Sequence, residues 1–266
     1  MTERIGKFII TTEMRKKIIA GNWKMYMTHT QAEAFVKELQ NRLMEMKTAY
    51  EVAVIPPFTA LYIVSTVIDK RVLKLGAQNV FYEKEGAYTG EISPIMLKAL
   101  NCDYVVVGHS ERRKYFSESD EMIAKKLKAV LSEGITPILC IGETLEQREK
   151  GIHKEVVENQ LISDLAYLSG DEVKNIVIAY EPVWAIGTGH NATPEQAQEM
   201  HEFIRSILRE RFGTPDVPIL YGGSVKPDNV GKISRMKDVD GALVGGASIK
   251  IESFVEIIKN AYQEGN

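Results

Sequence analysis

Short, β-rich apolar runs recur along the whole chain with little alternation of hydrophobic and polar positions, the pattern of strands covered on both faces in a parallel sheet. Eight are predicted, over residues 17–21, 52–55, 72–77, 104–108, 136–141, 175–180, 219–222 and 241–245. The segments between them carry a helical period instead. Phe35, Leu39, Leu43 and Met46 share one face, as do Ile123, Leu127, Val130 and Leu131, and Val157, Leu161, Leu165 and Leu168. Helix ends are marked too. Thr193-Pro194-Glu195-Gln196 offers a capping hydroxyl, a proline at the first helical position and a glutamine at the third, and Gly213 stops that helix after Phe212. Thr30 and Glu33 repeat the capping-box spacing and predict a start there. Strand and helix alternate from end to end without a Pro- or Ser-rich linker, which argues against a two-domain split. The expected fold class is α/β, a single-domain closed (β/α)8 barrel, with a doubly wound open sheet as the alternative that strand count leaves open.

Composition narrows the partners. The 33 Lys and Arg against 36 Asp and Glu leave a formal charge of -3, with no excess to attract nucleic acid or an anionic membrane. The longest apolar runs fall far short of the ~20 residues that span a bilayer. Residues 8–10 are too short for a signal-peptide core, and Glu3 and Glu13 argue against a transit peptide. Cys102 and Cys140 stand far apart without a CxxC, so neither a disulfide scaffold nor a cysteine zinc site is supported, and a cytoplasmic location is expected.

In either architecture the chemistry gathers at the carboxyl ends of the strands. Asn22 and Lys24 follow the first predicted strand, His109 the fourth and Glu181 the sixth, while Gly222-Gly223-Ser224 and Gly245-Gly246-Ala247-Ser248 follow the last two. Two glycine-rich strand ends, each leading toward a short helix, suit a phosphate, because backbone N–H groups can approach its oxygens without Cβ atoms in the way. Either pair alone would favour a tight turn or close packing; two at the expected positions favour phosphate. Glu181 could be a solvated loop carboxylate, His109 a satisfied core histidine, Lys24 a surface lysine and Asn22 a turn residue. Their convergence at one barrel mouth favours function, and a carboxylate buried under a lid is the stronger base that proton abstraction needs. Residues 181–192, EPVWAIGTGHNA, have the makings of that lid: Gly187 and Gly189 permit changes in φ, and Pro182, Val183, Trp184 and Ile186 supply apolar cover.

Competing motifs fail. GTGHNA fits a dinucleotide fingerprint formally but is separated from Tyr180 by six loop residues rather than opening from a strand. His201-Glu202 begins a zinc-binding helix pattern, yet Arg205 stands where the second histidine belongs. No P-loop precedes Lys7 or Lys232, and no nucleophile elbow surrounds Ser110 or Ser224.

AGNWKM from Ala20, AQNV from Ala77, GHSERR from Gly108, CIGE from Cys140, AYEPVWAIGTG from Ala179, YGGSV from Tyr221 and GGAS from Gly245 occur in one order. Through these motifs the chain resembles the triosephosphate isomerase family over residues 14–262. The resemblance implies a TIM barrel that interconverts dihydroxyacetone phosphate and D-glyceraldehyde 3-phosphate in glycolysis and gluconeogenesis, through an enediolate and with neither metal nor organic cofactor. Glu181 would be the base and His109, as neutral imidazole, the electrophile and proton shuttle; these two roles are the family's own. Lys24 would supply fixed charge, Asn22 an amide hydrogen bond, and Glu111 support from behind. The N–H groups of Gly187, Ser224, Gly245 and Gly246 would hold the phosphate. The lid would run from Pro182 through Val183, Trp184, Ala185, Ile186, Gly187, Thr188, Gly189, His190 and Asn191 to Ala192. Homodimers or larger assemblies are the family's rule, so the loop over residues 78–91, with Phe81, Tyr82, Tyr88 and Thr89, would dock into a second copy; a locally folded loop is the alternative.

Three departures stand out. The family's usual start falls at Met14, which leaves residues 1–13 as an extension of the 14–266 barrel domain. His190-Asn191 replaces the more usual Lys-Thr at the second lid hinge, and Ser117 occupies a position that is often glycine. The rival readings are another phosphate-binding barrel enzyme or a barrel that binds a phosphate ligand without chemistry. A Schiff-base aldolase would need a lysine near the end of the sixth strand, where Glu181 stands.

Overall fold

The computed structural model describes residues 15–186 and 192–264. Eight parallel strands close on themselves in sequence order: β1 (Ile18–Asn22), β2 (Glu51–Ile55), β3 (Lys74–Ala77), β4 (Tyr104–Val107), β5 (Thr136–Ile141), β6 (Val177–Tyr180), β7 (Ile219–Tyr221) and β8 (Gly241–Val244), with β8 pairing back onto β1. The closed barrel is therefore the fold, and the open sheet is excluded. Every predicted strand is present, with ends displaced by at most two residues.

Runs that look uniformly apolar resolve into two clusters, because alternate side chains leave a strand on opposite faces. Ile18, Ala20, Ala53, Ile55, Tyr104, Val106, Ile138, Cys140, Val177, Ala179, Leu220 and Leu243 fill the barrel interior. Ile19, Val52, Val54, Val105, Val107, Leu139, Ile141, Ile178 and Val244 face outward against the helices. There they meet the predicted stripes Phe35–Leu39–Leu43, Ile123–Leu127–Val130 and Val157–Leu161–Leu165.

The first helix departs from expectation. α1 (His29–Met44) is capped by Thr28, whose hydroxyl accepts from the Gln31 amide while Gln31 returns a bond to the Thr28 N–H. This box, rather than Thr30 with Glu33, starts the helix. Its phase brings Ala32 into the core and frees Glu33 for an i,i+4 pair with Lys37 at 2.6 Å. The predicted cap of the long C-terminal-half helix is as expected: Thr193 forms a full capping box and Gly213 takes the left-handed conformation at φ 68°.

At the amino-terminal face a buried guanidinium ties the last strands together. Arg205 donates to Asp238 and Asp240, both at 2.7 Å, and to the carbonyls of Pro215 and Val217. His201 is a core histidine set edge-on to Tyr180 and tilted beside Tyr221, and burial pushes its imidazole down to about 3. Among the described residues no helix is long and apolar enough to cross a membrane.

Candidate active site

The two-residue parity of the strands delivers the site. Ile18 and Ala20 point into the barrel, so Asn22 does as well; Val177 and Ala179 do, so Glu181 follows. On β7 and β8 the same inward rows run from Leu220 to Gly222 and from Leu243 to Gly245. β4 would present the wrong face after Val106, but Gly108, at φ 72°, turns the chain and lets His109 enter the mouth. Around these ends lies a cavity of about 410 Å³ lined by Asn22, Lys24, His109, Glu111, Glu181, Ser224, Gly245 and Gly246.

His109 caps α4 (Ser110–Phe116), its Nδ1 accepting from the Glu111 amide at 3.1 Å. A nitrogen that accepts an N–H carries no proton, so the ring proton sits on Nε2 and the imidazole is neutral in this geometry. That Nε2 lies 3.1 Å from Glu181 Oε1. The other carboxylate oxygen, Oε2, accepts from the Ser110 amide at 2.9 Å, at the amino end of α4. Glu181 is only 2% exposed. Two glycines make room for it. A Cβ at Gly142 would fall 1.7 Å from the Glu181 carbonyl oxygen, and one at Gly222 would fall 2.9 Å from its Cγ.

Lys24 adopts φ 51°, a left-handed conformation costly for a residue with a Cβ. Three bonds hold it there. Its amide donates to Asn22 Oδ1 at 3.0 Å, its carbonyl accepts from Gln78 Nε2 at 2.7 Å, and its ammonium pairs with Glu111 at 2.6 Å. Because Asn22 uses its oxygen on Lys24, its Nδ2 is the end left to face a ligand. The lysine stem runs beside Gly245, where a Cβ would meet Cε at 3.3 Å, so the ammonium and the two glycine-rich strand ends share one wall.

The described part of the expected lid begins with a 3₁₀ turn over Val183–Ala185. Its anchor is Glu143, a fully buried carboxylate that accepts from the Tyr180 hydroxyl, from Trp184 Nε1 at 2.8 Å and from Arg148 at 3.0 Å. The Val183 amide also donates to the Glu143 carbonyl at 3.0 Å. Toward the far end, burial pushes the Tyr221 phenol up to about 12, eased by the backbone of Ala192. Gly187, Thr188, Gly189, His190 and Asn191 lie outside the described residues, as does the extension over residues 1–13.

The sequence-predicted residues Asn22, Lys24, His109, Glu111, Glu181, Ser224, Gly245 and Gly246 thus meet in one cavity. Glu143 and Gln78 were not among the candidates. The same strand-end rule reaches them, since Gly142-Glu143 follows β5 and Gln78 follows β3. Phe81, Tyr82, Tyr88 and Thr89 sit instead on a protruding loop, with Phe81 stacked on Tyr82 at 4.2 Å and near Tyr88 at 4.6 Å. The Phe81 amide closes the loop onto the Ile92 carbonyl at 2.8 Å.

The triosephosphate isomerase family model matches residues 17–261 of the chain. The triosephosphate isomerase of Carboxydothermus hydrogenoformans is 53% identical over 251 residues, covering 93% of this chain and all of that protein. That of Dictyoglomus thermophilum is 52% identical over 253 residues with the same coverage. The Thermoanaerobacter pseudethanolicus protein of that name is 50% identical over 248 residues, 92% of this chain and 99% of its own length.

Proposed function

The chain belongs to the triosephosphate isomerase family, and from that premise we propose that Glu181, His109 and Lys24 divide its proton transfers among them. The chain is an intramolecular aldose–ketose isomerase that interconverts dihydroxyacetone phosphate and D-glyceraldehyde 3-phosphate, a glycolytic and gluconeogenic reaction. Glu181 gives up the Ser110 amide and takes a proton from the carbon beside the carbonyl, whose electrons move onto the carbonyl oxygen. His109, with its proton on Nε2, hydrogen-bonds that oxygen as charge develops and passes a proton between the two oxygens of the enediolate. Glu181 then returns its proton to the neighbouring carbon, so no proton is gained or lost overall.

Lys24 and the Asn22 Nδ2 group stabilise the developing negative charge, with Glu111 fixing the ammonium. The phosphate rests on the backbone amides of Ser224, Gly245, Gly246 and Gly187. The lid from Pro182 to Ala192 closes over it, keeping water out and the phosphate on its carbon. The observation that carries this reading is the approach of His109 Nε2 to Glu181 Oε1, 3.1 Å, with Nδ1 occupied by the Glu111 amide. Glu181→Gln, tested in a coupled isomerase assay with glyceraldehyde 3-phosphate, is expected to lose at least ~10³-fold in kcat while still binding inorganic phosphate. Turnover equal to wild type would remove Glu181 as the base, and an inactive wild type would remove the activity.

The working unit is a homodimer. The aromatic loop bearing Tyr88 and Thr89, together with exposed Met25 (94%), Met96 and Phe116, offers apolar surface for a second copy. Sedimentation at micromolar concentration checks this, and a monomer would refute it. The cytoplasm is the compartment that two buried free thiols suit. Residues 1–13 stand outside the 14–266 barrel domain, and a chain starting at Met14 is expected to keep full turnover in the same assay.

A further inference from the structure

We propose that Gln160 is a positioning residue for the general base, acting through the backbone of Gly142; the inference rests on the reading of Glu181 as that base. Gln160 lies on α7 (His153–Asp164), which packs against β5 and α5 (Asp120–Ser132). Its Oε1 accepts from the Gly142 N–H at 2.8 Å and its Nε2 donates to the Gly142 carbonyl at 3.1 Å. One side chain therefore makes both of the bonds that a neighbouring strand would make to this residue.

Gly142 is where the strand ladder ends and the site begins. The Glu181 amide makes the adjacent ladder bond, to the Ile141 carbonyl at 2.8 Å. Past it the two main chains touch with no side chain between them, since a Cβ on Gly142 would stand 1.7 Å from the Glu181 carbonyl oxygen and 2.6 Å from its carbon. Displacement of Gly142 is thus passed directly to the base. The next residue, Glu143, holds the first lid hinge through the Val183 amide and the Trp184 indole. Satisfying two loop groups is something any amide could do for stability alone. Here both bonds fall on the one residue that backs the base and leads into the hinge anchor.

Two variants test the role. Gln160→Leu keeps the volume and loses both bonds; kcat is expected to fall about tenfold or more with KM changed less than about twofold, as a small displacement of a reacting group predicts. Activity is normalised to the fraction of sites that titrate with inorganic phosphate, so that loss of folded protein is not counted. Gln160→Glu gives a switchable form. Its carboxylate accepts from the Gly142 N–H but repels the carbonyl, whereas its protonated form restores the missing donor.

The ratio of Gln160→Glu to wild-type kcat is therefore expected to climb at least about fivefold from pH 8 to pH 5 as the substituted carboxyl protonates. Arg113, Lys114 and Glu181, the other charged side chains lining the same 310 Å³ cavity, are common to both proteins. A normalised Gln160→Leu kcat within twofold of wild type overturns the proposal, and so does a ratio flat with pH. Should Gln160→Leu fail to fold, the pH ratio decides alone. Failure of the base assignment is read separately, from wild-type turnover in Glu181→Gln.

Discussion

Replacing Gly142 by alanine is expected to remove most turnover while leaving the phosphate half of the site in place. The new Cβ would lie 1.7 Å from the Glu181 carbonyl oxygen, 2.6 Å from its carbon and 3.2 Å from its Cα. Real Cβ contacts essentially never fall below 3.0 Å, so one main chain must retreat by at least about 1.3 Å. Neither is free to do so cheaply, because β5 and β6 are laddered to each other and Gln160 grips Gly142 from the helix side. A misplacement of about 1 Å costs on the order of 10²-fold in rate, so kcat is expected to fall by about 10²-fold or more, and overpacking of this kind destabilises by about 1–3 kcal/mol. Gly222→Ala is the matched control. Its Cβ would meet the Glu181 Cγ at 2.9 Å and the Tyr180 carbonyl at 3.1 Å, so the yield needed is a few tenths of an ångström, part of it from a rotatable side chain. Its loss in kcat is expected to stay below about tenfold. Gly246→Ala behaves differently again: nothing stands within 4 Å of its Cβ, which projects beside the proposed phosphate site, so KM rises with stability unchanged. Steady-state kinetics in both directions, phosphate titration and urea unfolding read all three. Gly142→Ala with kcat within threefold of wild type, or less damaging than Gly222→Ala, would refute the reasoning.

Three further outcomes follow from buried groups and one strained residue. Glu143→Gln puts an amide N–H among three donors and leaves Arg148 without its counter-charge; kcat and KM should both worsen, as for a lid hinge, with a stability loss of about 2 kcal/mol, below the full buried-pair cost because Arg148 keeps some solvent. Unchanged kinetics would show that the hinge does not depend on it. His201 has a folded value near 3, below the ordinary 6.5, so the unfolded chain binds the extra proton. Its contribution is complete above about pH 6.5 and is lost as pH falls toward 3; wild type should lose about 2 kcal/mol more than His201→Gln between pH 7 and pH 5 in urea unfolding, and equal losses would contradict this. Ser117 closes α4 at φ 53°, in the left-handed region, so Ser117→Gly should stabilise by about 1 kcal/mol, and a lower urea midpoint would count against the strain.

The barrel was legible because each strand carries a face for the interior and a face for the helices, and because its end residues are chemically unlike its middle. Asn22, His109 and Glu181 announce themselves as polar residues closing apolar runs. Ser117 shows the same economy in reverse: its departure from glycine has no visible meaning in sequence, and becomes a strained helix end once φ is known. The start of α1 was misplaced because Thr28–Gln31 and Thr30–Glu33 have equal spacing, and only the burial of Ala32 selects between them. Gln160 was not legible at all. On α7 it reads as one more polar position, and its partner lies eighteen residues away, beyond the short helix Leu145–Glu149. Contacts of that kind come from closing the barrel, so no local period can encode them.

Lys24 and Glu181 are each engaged by protein partners at the mouth, and that arrangement suits the proposed phosphate-anchored substrate. Lys24 is bound to Glu111, and Glu181 rests on the Ser110 amide and His109. The backbone at Lys24 stores roughly 1–2 kcal/mol of left-handed strain, restrained by Asn22 and Gln78. On the proposed reading a triose therefore meets two charges already engaged by the protein: Lys24 is shared with Glu111, and Glu181 leaves the Ser110 amide before it reaches a C–H bond. Neither rearrangement is rewarded by the neutral carbonyl end of the substrate. On the proposed reading the reward comes from the far end, where the phosphate would meet the β7 and β8 turns under the expected lid. Binding energy collected there offsets reorganisation here, which places it in kcat rather than in ground-state affinity. The proposed role of Gln160 at Gly142 fits this reading, since a base that moves between two positions needs a fixed main chain to move from.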